Sequence, residues 1–174
     1  MSDLSALLAL ETAVFKVAVL SRRSLRHFLA SPNASLLVAK AKGKLAGYAL
    51  VLYPPHSRVA RLYSIAVAPH IGRRGVGTLL LAAAEGAARR RRRRSMRLEV
   101  HERNKRAIAR YEKSGYRLFG RHRDYYDDHA TALRFEKPLA VERRHGPAKK
   151  SGSRGRIGFH GGHRGRHSRH SARF

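Results

Sequence analysis

Residues 65–78 read Ile-Ala-Val-Ala-Pro-His-Ile-Gly-Arg-Arg-Gly-Val-Gly-Thr, and no other stretch constrains the fold as tightly. An apolar strand-like segment stops at Pro69, a loop of Gly and Arg follows, and an apolar helix pattern over residues 79–88 begins at once. Strand, short loop and helix start, in that order, imply a mixed α/β architecture with an anion site at the junction. The first N–H groups of a helix have no partner inside it, and the helix dipole adds partial positive charge there. Gly75 and Gly77 admit close backbone approach, Arg73 and Arg74 add charge, and Thr78 adds a hydroxyl. A Walker loop is excluded because no Lys-Ser/Thr follows the glycines, and the spacing is not Gly-x-Gly-x-x-Gly.

The remaining chain supplies enough apolar sequence for one domain with a core, plus an extension. Its 174 residues contain no cysteine, which excludes disulfides, thiol nucleophiles and Cys-ligated zinc. Lys and Arg number 38 against 11 acids, for a net charge of +27. Residues 141–174 hold 10 Lys+Arg and 1 acid, a net +9, so residues 1–140 keep +18 and are basic in their own right. That field favours polyanionic surroundings and says nothing about fold. Residues 4–20 are apolar, but Glu11 and Lys16 interrupt them and no basic residue precedes them, so an amphipathic helix is expected rather than a membrane segment or signal peptide. A cytoplasmic location follows as an expectation.

Leu4, Leu7, Leu8, Leu10, Val14 and Phe15 recur at helical spacing behind Ser2, and a second helix starts at Ser21 or Ser24 and stops at Ser31-Pro32-Asn33. Strands are expected at 36–39 and 45–53 around Lys42-Gly43-Lys44, then at 59–67, making an antiparallel meander before the crossover helix. A buried strand at 96–100, paired parallel with 59–67, places Glu99 beside the loop. Asn104 caps a helix through Ala107, Ile108 and Tyr111 that Gly115 terminates. Strands at 116–120 and 132–136 close the sheet, with residues 124–128 between them.

At this point the motifs are specific enough for a resemblance. Ile65-Ala66-Val67, Arg73-Arg74-Gly75-Val76-Gly77, Leu98-Glu99-Val100, Asn104 and residues 107–116 together resemble the GCN5-related N-acetyltransferases (GNAT), in the branch of ribosomal-protein alanine N-acetyltransferases. The resemblance implies a mixed sheet of about six strands flanked by about four helices, without the strand that usually opens the fold. It implies acetyl-CoA as co-substrate, with no metal. Ile65, Ala66 and Val67 would meet the pantetheine arm, Arg73, Arg74, Gly75, Val76, Gly77 and Thr78 the pyrophosphate, and Asn104 the cofactor further in. Glu99 matches the base that takes a proton from the acceptor amine, directly or through water, and Tyr111 the acid for the departing thiolate. Gly72 departs from the pattern, since the family's loop usually begins there with Arg or Gln. The implied acceptor is a protein or peptide N-terminus, such as that of a ribosomal protein. A lysine or small-molecule amine, and a non-catalytic RNA- or ribosome-binding protein of the same fold, are the alternatives.

The domain is expected to span 1–139 and to be followed by a disordered basic tail, 140–174, rich in Arg, Gly, His and Ser. That tail has two readings, an RNA- or ribosome-binding extension and a frame-change product of a GC-rich gene. His160, His163, His167 and His170 have spacings that can ligate metal, but without acids or cysteines they read as merely basic. The six arginines at 89–94 are open to two readings, a solvated helix end or a polyanion-binding patch. Tyr125 and Tyr126 line a peptide site or pack the closing hairpin.

Overall fold

The computed structural model describes residues 2–15, 20–71 and 75–139. Among them are four α-helices and six strands: α1 (Ser2–Val14), α2 (Arg22–Ala30), β1 (Ala34–Ala41), β2 (Lys44–Leu52), β3 (Val59–Val67), α3 (Val76–Arg90), β4 (Ser95–His101), α4 (Lys105–Lys113), β5 (Arg117–His122) and β6 (Ala132–Pro138). The strands form one sheet in the order β1-β2-β3-β4-β6-β5. Only β3 and β4 are parallel, and they are joined through α3. This is the expected architecture, and among the described residues no strand precedes α1.

Local chemistry accounts for the element ends. Ser21 Oγ accepts the Ser24 N–H at 3.0 Å and starts α2. Lys42 and Gly43, at φ of 48° and 76°, make the two-residue turn between β1 and β2 that needs left-handed backbone. Asn104 Oδ1 accepts the Ala107 N–H at 3.1 Å and starts α4, while Gly115, at φ 87°, follows its end.

Two cores lie on opposite faces of the sheet. One gathers Leu80, Leu81 and Ala84 of α3 and Tyr111 of α4 against Val51, Leu62, Leu98 and Phe135. The other packs Leu7 and Leu10 of α1 and Leu25 of α2 against Tyr48, Leu50 and Ala66. Glu11, which interrupts the apolar run of α1, is enclosed rather than solvated: it is 1 % exposed and accepts a hydrogen bond from the Tyr48 hydroxyl, itself 2.8 Å from Ser64 Oγ. Burial pushes the Glu11 pKa above its ordinary value, and the Tyr48 bond only partly offsets this. No helix among the described residues is long and apolar enough to cross a membrane.

Candidate active site

The sheet is open at its centre. β3 and β4 pair only over Val59↔Ser95, Ala60↔Met96 and Arg61↔Arg97, yet β3 continues to Val67 and β4 to His101. Beyond Arg61 the two strands part, and each keeps its outer neighbour, β2 for β3 and β6 for β4. The pairing expected along the whole strand therefore ends two residues before Glu99.

The register tells which backbone groups face the opening. Ala68 donates its N–H to Ala46 O at 2.9 Å, so Ala46 and Ala68 bond to each other, and by antiparallel alternation Tyr48 and Ala66 do too. Ile65 and Val67 then turn their N–H and C=O groups away from β2, toward the gap. Of the three residues expected to meet a pantetheine arm, Ile65 and Val67 offer backbone and Ala66 does not. Gly47 keeps β2 close at this level, because a Cβ there would lie 2.6 Å from Ala66 O and 2.9 Å from Leu80 Cδ1. Gly47→Ala is expected to force the strands apart at a cost of about 1–3 kcal/mol, measurable as a lower urea midpoint. An unchanged midpoint would mean that the strands are not held this tightly.

At the end of the gap, α3 begins without a side-chain cap. Gly75 holds the N-cap position at φ 74°, a conformation that disfavours any side chain. Its carbonyl accepts the N–H of Thr78 at 2.9 Å and of Leu79 at 3.0 Å. The N–H groups of Val76 and Gly77 belong to the unsatisfied first turn, whereas Thr78 offers its exposed hydroxyl rather than its N–H. Gly72, Arg73 and Arg74 lie outside the described residues.

One group at this helix start was not singled out in the sequence. The Arg110 guanidinium of α4 lies across Gly77, so close that a Cβ there would stand 2.8 Å from Cζ and 2.9 Å from Nη1. Arg110 forms no ion pair with any described carboxylate. A cation set against the positive end of a helix is unfavourable by itself and becomes favourable once an anion lies between them.

Tyr111, next to Arg110, has its ring in the core with centroids 5.8 Å from Tyr116 and 6.4 Å from Phe135. Its hydroxyl bonds no described residue. Burial pushes its pKa up to about 12, with Arg110 opposing, so at neutral pH it is a phenol able to donate. The Asn104 side-chain oxygen is used as the α4 cap.

Glu99 faces the other way. Along β4, Met96, Leu98 and Val100 are buried toward α3 and α4, so Arg97, Glu99 and His101 alternate to the opposite face. One Glu99 oxygen accepts from Arg61 Nε at 3.1 Å and lies 3.0 Å from its Nη2, while the other is 3.6 Å from Arg134 Nε. Arg61 also donates to the Tyr125 hydroxyl at 3.1 Å. A single guanidinium thus ties β3, β4 and the β5–β6 loop together. Tyr126 stacks on His101 at 4.8 Å, and His101 Nε2 is 3.0 Å from Asp128 Oδ2, which pins the same loop. Asp128 is held below its ordinary pKa by the His101 bond and then by the Ala130 N–H. Burial pushes the Tyr126 hydroxyl above its ordinary pKa, with Tyr125 and then the Glu99 carboxylate adding to the rise. Tyr125 and Tyr126 thus contact Arg61 of β3 and His101 of β4 as well as belonging to the closing hairpin.

The sequence model of the acetyltransferase (GNAT) family matches residues 5–116, which takes in both helix starts at the opening, Glu99 and Tyr111. The chain belongs to the GNAT family. It is an N-acetyltransferase by membership, and its mixed six-stranded sheet flanked by four helices is the GNAT fold. Among solved structures it is similar to the ribosomal-protein-S18-alanine N-acetyltransferase of Escherichia coli, with 25% identity, a TM-score of 0.73, and 83% of this chain and 93% of that one covered. It is also similar to a nourseothricin acetyltransferase, with 33% identity, a TM-score of 0.60, and 63% and 67% covered. The ribosomal-protein-alanine N-acetyltransferase of Brucella melitensis shares the fold, at 24% identity and a TM-score of 0.70, with 79% and 95% covered. No curated protein matches the chain.

Within this GNAT domain, no cluster of three or more metal-ligating side chains forms among the described residues. The four tail histidines, and the tail itself, lie outside them. Arg61, Arg110 and Arg134 are the site residues that sequence reasoning missed. Nothing in the linear chain singles them out from the other arginines, because their placement depends on strand register and helix facing.

Proposed function

We propose that the chain transfers the acetyl group of acetyl-CoA to the α-amine of a protein or peptide N-terminus, ribosomal-protein alanine being the leading candidate. The observation that carries this reading is the open edge of β3 at Ile65 and Val67, leading to an uncapped α3 start crossed by Arg110. An extended amide-bearing arm can pair with that edge as an added strand would, and a pyrophosphate at the helix start can be met both by Arg110 and by the N–H groups of Val76 and Gly77. Arg73, Arg74, Gly75 and Thr78 complete the cradle in this reading, and Asn104 contacts the cofactor through its amide.

Acetyl-CoA supplies an activated thioester. Glu99, on the opposite face of the sheet, accepts a proton from the incoming ammonium directly or through water, with Arg61 and Arg134 holding the carboxylate in place. The amine would then attack the thioester carbonyl through the gap. As the C–N bond forms and the C–S bond breaks, Tyr111 gives its proton to the departing sulfur and is restored by the second proton that the nitrogen sheds, directly or through water. Tyr125 and Tyr126 line the acceptor side. An α-amine of pKa about 7.8 is roughly one quarter neutral near pH 7.4, against about 0.1 % for a lysine near 10.4, so a single carboxylate suffices more readily for a chain terminus. We place the reaction in the cytoplasm.

The 33% identity to nourseothricin acetyltransferase favours a second reading, with a small-molecule amine as acceptor. Incubation with acetyl-CoA and peptides bearing free or blocked N-termini, followed by mass spectrometry, separates the two. Acetyl on the α-amine of free peptides only is expected. Thiol release with small amines and none with any peptide would overturn the peptide reading.

Arg110→Ala is expected to weaken acetyl-CoA binding by about 10–100-fold, the value of one or two charge-assisted hydrogen bonds, with the melting temperature nearly unchanged. Calorimetric titration measures it, and equal affinities would show that the backbone alone holds the anion.

A further inference from the structure

The arginine run at the other end of α3 is divided by the fold into two sets. Arg89 pairs with Glu85 at 3.2 Å. Arg91 donates to Pro32 O at 2.6 Å and stacks over the Tyr53 ring at 4.4 Å, and Arg93 donates to Ser57 O and also faces that ring. Those three are part of the structure. Arg90, Arg92 and Arg94 are exposed and have no carboxylate partner among the described residues.

A fourth arginine joins them. The Arg94 N–H donates to Arg58 O at 2.6 Å, which brings the exposed Arg58 beside the run. Arg92 adopts φ 56°, a left-handed turn residue. Between residues 54 and 98 the sequence has a single acid, Glu85, and it is already paired with Arg89 and Lys137. A helix C-terminus accounts for cations only in its last turn, and Arg92 and Arg94 lie beyond it.

The position is as informative as the charge. β3 starts next to Arg58 and ends at the opening, and α3 spans about 22 Å between the two ends at 1.5 Å per residue. A partner bound to the arginines leaves both mouths of the gap free. None of the exposed large hydrophobic side chains (Leu29, Val38, Leu79, Leu118 and Phe119) lies in these segments, so the patch lacks the apolar centre of a protein–protein interface. Glu136 of β6, beside Ser95, is already paired with Arg97 at 3.2 Å, so the set of guanidinium forks has no free acid in it and matches a phosphate backbone.

We propose that Arg58, Arg90, Arg92 and Arg94 form an RNA-docking surface that grips phosphates without reading bases, at the end of the fold remote from acetyl transfer. The choice of RNA over DNA rests on the ribosomal-protein reading of the acceptor; the phosphate contact does not.

The test uses the full chain and a fluorescein-labelled RNA hairpin of arbitrary sequence, with anisotropy measured from 50 to 200 mM KCl. The variant R58Q/R90Q/R92Q/R94Q is compared with R22Q/R23Q/R26Q/K40Q, which removes the same charge from exposed positions on α2 and β1. The docking variant is expected to bind at least about tenfold more weakly, with a salt slope shallower by about 3, as for four lost phosphate contacts, while the comparison variant changes far less. Equal losses in the two variants, or none, would overturn the proposal. An equal loss with a DNA hairpin of the same sequence would keep the surface and overturn its assignment to RNA. Acetylation of free peptides, measured on the same docking variant, is expected to be unchanged, so failure of the acceptor reading appears in that assay and not in the RNA titration.

Discussion

Replacing Tyr111 by phenylalanine is expected to lower kcat by about 10²–10⁴-fold, the usual contribution of a positioned general acid, while acetyl-CoA binds as before. The ring is what the core uses: it packs among Tyr116, Phe135 and the α3 side chains, and phenylalanine keeps it. The hydroxyl forms no bond with any described residue, so its removal strands no partner. Burial pushes its pKa up to about 12, and the proton is therefore present across the neutral range and lost only toward that value. A thiolate leaving into this site needs that proton. Steady-state kinetics with a saturating peptide, paired with a binding titration, measure the effect. A kcat within twofold of wild type would reduce Tyr111 to a core aromatic.

The second large effect concerns stability. Glu85 of α3 is 5 % exposed, and its carboxylate takes Lys137 Nζ of β6 at 2.8 and 2.9 Å and Arg89 Nη2 at 3.2 Å. Lys137→Met removes the stronger contact and leaves a buried carboxylate with one partly exposed partner. Loss of one member of a buried pair costs about 3–5 kcal/mol when the pair is fully enclosed. Lys137 retains 24 % side-chain exposure and Arg89 remains, so about 2–3 kcal/mol is expected, or a melting temperature roughly 6–12 °C lower. Glu85→Leu combined with Lys137→Met is expected to recover most of it, since apolar replacement of both partners removes the desolvation cost. Urea unfolding of the single and double variants decides this, and a double variant as unstable as the single would contradict it.

What was legible in the sequence was what depends on local pattern. The meander, the crossover helix, the Asn104 cap and the Gly115 stop all follow from periodicity and end chemistry, and each is present, with element ends shifted by a few residues. α3 begins at Val76 rather than at Leu79 because Gly75 takes the N-cap position and Gly77 joins the first turn. The illegible features depend on long-range register. Where β3 and β4 part cannot be read from two apolar runs, and neither can the alternation that turns Ile65 and Val67, but not Ala66, toward the gap. Glu99 could have met any of the many arginines, and only the fold selects Arg61 and Arg134. Glu11 reads as a break in an apolar helix, whereas Tyr48 encloses it from 37 positions away. The arginine run looks uniform in sequence, and its division into anchored and free side chains needs Tyr53, Pro32 and Ser57 in place.

The central claim is that acetyl-CoA lies in the gap between β3 and β4, paired with the free edge of β3. Residue-resolved hydrogen exchange of the full chain, with and without saturating acetyl-CoA, tests it most directly. Added protection is expected at the amides of Ile65, Val67, Val76 and Gly77, with Ala66 unchanged because its N–H already bonds within the sheet. Saturated binding that leaves Ile65 and Val67 exchanging as before would contradict it.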